Sequence, residues 1–317
     1  MNKQTILVTG GAGFIGSHVT DAFIQKGHSV IVVDDLSSGN ADYINPNAIF
    51  YEMDIRSPQM DDIFATHLPS VVCHHAAQID VRKSVDDPIY DADVNIRGSI
   101  SLLELCVKHA VKKFIFSSTG GAIYGSPESL PATEQCVPKP ESPYGTSKLC
   151  VEQYIMLYHR IHKLNYTILR YPNVYGPRQS PHGEAGVCSI LAGLMLAGET
   201  PTLYGNGEPV RDYVHVSDIA NANVLALGKG NGETINLGSS KGVTVKQLYT
   251  IIKKHTGFTG KPQLKPLRPG EVKSIYISGK HAADILGWSP SISLEEGLEG
   301  TVAFIRDQIN KASNNAT

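Results

Sequence analysis

The sequence predicts an α/β protein: a doubly wound parallel sheet with a smaller, interleaved C-terminal domain. Three observations carry this. In the first half, short runs that are apolar throughout alternate with amphipathic stretches, as parallel strands do when helices bury both of their faces. A glycine-rich turn, Gly10-Gly11-Ala12-Gly13, lies between the first apolar run and the first amphipathic stretch. After Arg170 the alternation gives way to segments crowded with Pro, Gly and polar residues, a composition suited to loops over a site.

The elements follow in order. Strands are expected at 5–9, 29–33, 49–53, 71–74, 114–117 and 167–170, with helices at 14–26, 60–67, 88–109 and 144–162 between them. Strands separated by helices run parallel. The stretch 171–186 reads as loop. Beyond it come helices at 190–196 and 218–227, a short strand at 234–237, a helix at 245–255, a Pro/Gly-rich stretch at 261–270 and a terminal helix at 294–309. The tail 311–317 is expected to fray. The chain shows no internal repeat and no low-complexity tract.

Composition narrows the function classes. The 317 residues suffice for one or two domains. A formal net charge of -2 offers no electrostatic footprint for nucleic acid or an anionic membrane. No apolar run approaches the roughly 20 residues needed to span a bilayer. The four residues before the first strand are too few for a signal peptide. Cys73, Cys106, Cys136, Cys150 and Cys188 are scattered, with no Cys-x-x-Cys, which suits reduced thiols in a cytoplasmic protein. His74-His75 has no carboxylate or cysteine at matching spacing, so no metal is expected.

The turn Thr9-Gly10-Gly11-Ala12-Gly13-Phe14-Ile15-Gly16 ends a strand and opens a helix. Gly10, Gly13 and Gly16 allow a tight turn, close approach of a pyrophosphate and close helix–strand packing, and the helix N-terminus presents its free N–H groups to the phosphates. This is a Rossmann-type dinucleotide site. About 20 residues on, the second strand delivers Asp34-Asp35. A carboxylate there accepts from a ribose diol and repels a 2′-phosphate, which favours NAD over NADP; either aspartate fits. Asp54-Ile55 closes the third strand, where an adenine would lie, although Asp54 also reads as a helix N-cap.

Tyr144 and Lys148 lie four residues apart, on one face of a predicted helix. An ammonium near a phenol favours the phenolate. Lowering a tyrosine pKa of about 10 by roughly three units takes about 4 kcal/mol, within reach of a lysine and a positively charged nicotinamide in a desolvated site. A solvated helix face is the bland reading of the same spacing.

Taken together, these residues resemble the extended short-chain dehydrogenase/reductase superfamily, and within it the UDP-galactose (UDP-glucose) 4-epimerase family. The carriers run from Val8 to about Trp288: the glycine turn, Val33-Asp34-Asp35-Leu36, His74-His75-Ala76-Ala77, Asn95-Ile96-Arg97-Gly98, Ser117-Ser118-Thr119-Gly120-Gly121, Tyr144–Lys148, Arg170-Tyr171-Pro172-Asn173, Arg211-Asp212-Tyr213 and Arg268-Pro269-Gly270-Glu271. The resemblance implies a homodimeric NAD enzyme. Tyr144 would be the acid/base, and Lys148 its partner and a holder of the nicotinamide ribose. Thr119 would bond the sugar 4-OH; one additional residue before Tyr124 leaves Ser118 as the alternative. Ala76, Ala77 and Asn95 would line or brace the cofactor groove, and Pro172 would touch the nicotinamide. Ala76-Ala77 also reads as plain packing.

A UDP-sugar would need cations for its diphosphate, and a guanidinium fork suits phosphate oxygens. Arg211 and Arg268 are the candidates, each otherwise a surface arginine. The resemblance implies that Glu271 binds the uridine ribose, that Asn173 contacts the diphosphate or sugar, and that Val187 and Tyr204 flank the uracil. Its gate against N-acetyl groups falls near Ile275, with Ser274 and Tyr276 as neighbours in register. The expected domains are 1–170 with 213–240 for NAD, and 171–212 with 241–317 for the UDP-sugar. An epimerase of N-acetylated or of both kinds of UDP-sugar is the first rival. A 4,6-dehydratase or decarboxylase is the second, but Gly120-Gly121 stands where a dehydratase needs its acids. A regulatory protein that only senses NAD is the third, and the presence of both Tyr144 and Lys148 argues against it.

Overall fold

A computed structural model describes residues 2–181, 186–268 and 272–315. The first half of the chain runs through strand β1 (Thr5–Thr9), helix α1 (Phe14–Gln25), β2 (Ser29–Asp34), β3 (Ile49–Glu52), α2 (Met60–His67), β4 (Val71–His74), α3 (Val81–Asp86), α4 (Pro88–Ala92), α5 (Gly98–Lys108), β5 (Lys113–Thr119), α6 (Pro143–His162) and β6 (Asn165–Tyr171). The second half adds β7 (Asn173–Tyr175), α7 (Val187–Leu196), β8 (Thr202–Tyr204), β9 (Val210–Arg211), β10 (Tyr213–His215), α8 (Val216–Ala226), β11 (Glu233–Asn236), β12 (Val243–Thr244), α9 (Val245–Thr256), β13 (Gln263–Lys265), β14 (Ser274–Ile275), α10 (Lys280–Leu286) and α11 (Leu294–Asn315).

Seven strands form one sheet in the order β11-β6-β5-β4-β1-β2-β3, and each pairing in it is parallel. Alternate residues along each strand feed opposite faces. Ile6 and Val8 of β1 pack with α1 and α8 residues such as Phe23 and Ile219. Leu7 points the other way, into a core with Phe64, Leu102, Phe116, Val151 and Ile155 from α2, α5, β5 and α6. A third core joins α7, α9 and α11 through Leu191, Leu248 and Leu298. Ala282, Leu286 and Trp288 return the chain to the first core. The strand order reverses between β1 and β4, and this opens a crevice at the carboxyl ends of the strands.

Several elements differ from expectation. The helix expected at 88–109 is three pieces: α4, a π-helical turn at Asp93–Arg97, and α5. The unexpected α3 is started by Asp80, whose carboxylate accepts from the N–H groups of Arg82 and Lys83. It ends before Pro88, which disfavours helical geometry at Asp87; Asp87 then caps α4. β5 runs two residues past the expected end, because Ser118 and Thr119 continue the pairing with Arg170 and Tyr171. α11 continues through Asn315, well into the tail for which fraying is expected.

Candidate active site

The glycine turn closes over the end of β1. Gly10 has φ +70°, in the left-handed region, and a Cβ there would lie 2.5 Å from Ala76 N. At Gly16 a Cβ would lie 2.1 Å from Gly10 O. Only glycine permits this turn to fold back against its own helix. Gly13 is the N-cap of α1, with no side-chain cap, so Phe14, Ile15 and Gly16 present backbone N–H groups outward, as an anion site requires. The cradle fits a dinucleotide diphosphate.

Asp34 and Asp35 part company. Asp34 is buried, and its carboxylate accepts from Ala12 N and Leu36 N, both at 2.9 Å. Burial pushes its pKa up, against the pull of those N–H donors. Asp35 is exposed and accepts from Ser37 N and Oγ at 3.0 and 2.6 Å. The carboxylate beside the glycine turn is therefore that of Asp34. Asp54 is paired with Arg56, which also reaches Asp93 at 2.6 Å; the Arg56 bonds hold its pKa down. Ile55 is buried against Gly98, where a Cβ would meet Ile55 Cδ1 at 2.8 Å.

Tyr144 and Lys148 stand in the first turns of α6. Ser142 caps this helix by accepting from Gly145 N at 3.1 Å, and Pro143 starts it. Tyr144 N donates to Ser84 Oγ at 3.2 Å, tying the helix start to α3. Lys148 is buried, donates from Nζ to Ser117 O at 2.9 Å, and lies 5.9 Å from the Tyr144 ring centroid. Burial drives the Lys148 pKa down to about 8, opposed by the carboxylates of Asp91 and Glu152. Burial pushes the Tyr144 phenol above its ordinary value, and Asp91 pushes it further. Both effects favour the neutral phenol.

Ser118 and Thr119 separate as cleanly as the two aspartates. Ser118 Oγ donates to Glu152 Oε1 at 2.5 Å. Glu152, fully buried, also receives Arg170 Nε at 2.9 Å and Arg170 Nη2 at 2.6 Å. Thr119 Oγ1 accepts from Ala122 N at 3.2 Å, which leaves its hydroxyl proton for a ligand.

The π-helical turn puts Asn95 at the centre of a buried network. Its Oδ1 accepts from Gln78 N at 2.8 Å, and its Nδ2 donates to Gln78 O and Asp91 Oδ1, each at 3.0 Å, and to Ser147 Oγ at 3.2 Å. Asn95 thereby braces the segment after β4, where Ala76 and Ala77 lie half-buried. His74 bonds Thr9 Oγ1 at 2.7 Å and Ser99 Oγ at 2.9 Å, and His75 bonds the Tyr171 hydroxyl at 3.1 Å. Among the described residues no group of three or more side chains could hold a metal.

The remaining residues lie beyond the sheet. Pro172 follows β6, and Asn173, exposed, donates from N and Nδ2 to Asp212 O at 3.0 and 3.2 Å. Val187 opens α7. The Arg268 guanidinium lies 3.7 Å from the Tyr204 ring centroid, so these two are brought together. Arg211 reaches Val210 O at 2.9 Å and Val272 O at 2.6 Å. Glu271 lies outside the described residues. Sequence reasoning missed Asp91 and Glu152, although each sits four residues from a site residue on its own helical span, Asn95 and Lys148 respectively. It also missed Asp212, buried and pushed up to about 6 by burial, which accepts from Ser239 N and Ile277 N.

Residues 6–238 match the NAD dependent epimerase/dehydratase family, and the chain belongs to that family. Its relatives are more particular. A putative UDP-glucose 4-epimerase of Methanocaldococcus jannaschii is 46% identical over 95% of this chain and 98% of its own. The crystal structure of the UDP-glucose 4-epimerase of Thermotoga maritima with UDP-glucose is 50% identical, with a TM-score of 0.95 over 96% of this chain and 99% of its own. The UDP-glucose 4-epimerase of Thermus thermophilus in complex with NAD is 40% identical, with a TM-score of 0.90 over 95% of this chain and 99% of its own.

Proposed function

We propose that the chain is a UDP-glucose/UDP-galactose 4-epimerase working with tightly held NAD. The observation that carries this is the juxtaposition of Tyr144, Lys148 and Thr119 at one end of the sheet: Lys148 is fastened to β5 two residues before Thr119, at the same strand ends as the glycine cradle. In this reading Gly10, Gly13, Phe14, Ile15 and Gly16 take the cofactor diphosphate and Asp34 the adenosine ribose. Asp54 and Ile55 flank the adenine. Ala76, Ala77 and Asn95 line or brace the groove, Pro172 meets the nicotinamide, and Lys148 holds its ribose. NAD, when bound, supplies the redox chemistry, taking two electrons from sugar C4 and returning them.

The chain supplies position and protons. Thr119 orients the sugar 4-OH and Tyr144 takes its proton. Lys148 stabilises the phenolate, which the neutral, ligand-free phenol does not offer. Arg211 and Arg268 grip the diphosphate, Asn173 the diphosphate or sugar, and Val187 and Tyr204 the uracil, so the 4-keto hexose is anchored at one end and turns over at the other. Tyr144 then returns the proton to the 4-oxygen as C4 is reduced on its opposite face.

Ile275 favours plain hexoses. It is 2% exposed and packs with Ile123, Tyr124 and Ile277, and Ile277 lies against Gly120; Ser274 and Tyr276 are half-buried. The register of the expected gate thus holds a side chain larger than the small residue that an N-acetyl-tolerant pocket would take. Residues 1–170 with 213–240 would form the NAD domain, and 171–212 with 241–317 the UDP-sugar domain; the separate core of α7, α9 and α11 supports this division, except that Ala282, Leu286 and Trp288 pack into the first core and belong with the NAD side. A cytoplasmic homodimer completes the proposal. Its supports are five free cysteines and exposed apolar side chains, Ile89 and Ile161, on the helices expected to pair. Sedimentation at about 34 kDa would sink the dimer. The decisive assay gives the protein UDP-galactose without added NAD and looks for UDP-glucose. Absence of product in both directions, with protein saturated in NAD, would falsify the reading, and faster turnover of UDP-N-acetylgalactosamine would favour the N-acetyl rival.

A further inference from the structure

Glycine is retained where a Cβ cannot fit or where φ is positive. Outside the left-handed region, nearly all described glycines meet the first condition. A Cβ would lie 2.4 Å from Ile277 Cδ1 at Gly120 and 2.6 Å from Ala122 O at Gly145. Among these glycines outside the left-handed region, Gly13, Gly121 and Gly300 have no described neighbour within 3.0 Å of that position. Gly300 lies on the exposed face of α11. Gly13 belongs to the dinucleotide cradle. Gly121 is half-buried, and the nearest described atom to its Cβ would be Thr119 Oγ1 at 4.0 Å, an ordinary contact distance. Neither backbone geometry nor packing among the described residues calls for glycine there. Its open side gives onto the Thr119 hydroxyl.

We propose that Gly121 is a specificity-determining residue, keeping clear the space beside Thr119 Oγ1 through which the hexose ring of the nucleotide sugar turns over. This rests on the 4-epimerase reading. Gly120 serves the fold, because its missing Cβ makes room for Ile277. Gly121 serves the ligand. Any side chain at 121 would fit the empty protein and crowd the sugar, leaving the UDP end untouched.

The test is Gly121→Ala beside Gly300→Ala and Gly120→Ala, with melting temperature, calorimetric affinity for UDP and for UDP-glucose, and kcat/KM for UDP-galactose. Gly121→Ala is expected to melt at or slightly above the wild-type temperature and to bind UDP normally. It should lose about tenfold or more in UDP-glucose affinity and kcat/KM, the scale of one misplaced methyl in a sugar pocket. Gly300→Ala should change nothing, and Gly120→Ala should lower the melting temperature. Wild-type kcat/KM in Gly121→Ala overturns the proposal, as does a melting temperature that falls together with UDP affinity. Wild-type protein that turns over no UDP-hexose sinks the epimerase reading first and this proposal with it.

Discussion

Ser118 donates its hydroxyl proton to Glu152 at 2.5 Å, and this bond sets it apart from the adjacent Thr119. Ser118 is spent inside the protein, on a carboxylate that also neutralises Arg170. Thr119, one residue on, is not. Ser118→Ala should therefore cost about 1–3 kcal/mol of stability, because a buried carboxylate loses a donor, with kcat nearly intact. Thr119→Ala should do the reverse, lowering kcat/KM about a hundredfold through lost orientation with little change in melting temperature. Denaturant titration and epimerase kinetics on both variants check this; swapped signatures would make Ser118 the catalytic hydroxyl.

Tyr144→Phe removes the one proton acceptor the mechanism uses. The ring still packs, so the fold and the bound NAD should persist. Epimerisation should fall by about 10²–10⁴-fold, the usual share of general acid–base catalysis. Absorbance of the purified variant reads the cofactor, and a coupled assay reads turnover. Activity within a few-fold of wild type would assign the proton to another group.

Asp91 links the pH behaviour of two residues. Its buried carboxylate accepts from Gln78 Nε2 and Asn95 Nδ2, each at 3.0 Å. An anion nearby disfavours the phenolate of Tyr144 and favours the ammonium of Lys148, so it raises both pKa values. Asp91→Asn keeps an acceptor for both amides and removes the charge, so both values should fall. Activity rises with pH as the phenol ionises and drops as the ammonium is lost. The entire bell of kcat/KM against pH should move to lower pH. A profile that shrinks without moving would reduce Asp91 to a structural brace.

Where local chemistry sets an element, the sequence displays it. The sheet was legible because buried parallel strands are apolar throughout, and the glycine turn and the Tyr144/Lys148 pair because their partners lie within one or two turns of chain. The π-helical turn left no such trace: residues 88–109 keep a helical apolar period through it, although Asn95 depends on it. α3 is too short for periodicity, and its only signals were the caps Asp80 and Asp87-Pro88. The two- and three-residue strands of the C-terminal half carry no alternation at all. Asp91 and Glu152 gave no signal, because only tertiary partners from β5, β6 and the segment after β4 explain a buried carboxylate. What sets Asp34 apart from Asp35, and Ser118 from Thr119, is likewise which way each side chain turns.

Gly16 joins stability to cofactor retention in a single substitution. In Gly16→Ala the new methyl carbon would stand 2.1 Å from Gly10 O and 2.8 Å from Gly10 C. Both are backbone atoms, so no rotamer change relieves the clash and the turn itself must move. The expected cost is about 1–3 kcal/mol, the usual range for overpacking. Because the displaced turn is the proposed diphosphate cradle, the variant should also lose the cofactor. A ligand bound only by the folded state stabilises it by RT ln(1 + [L]/Kd), so wild-type protein stripped of NAD should melt lower and recover when NAD is returned. Gly16→Ala should start lower still and recover little at the same NAD concentration. Gly27→Ala separates turn strain from cradle damage: Gly27 also has positive φ, +85°, but its Cβ would meet nothing within 4 Å, so that variant should lose stability and keep its full response to NAD. If Gly16→Ala instead co-purifies with stoichiometric NAD, the diphosphate does not sit on this turn.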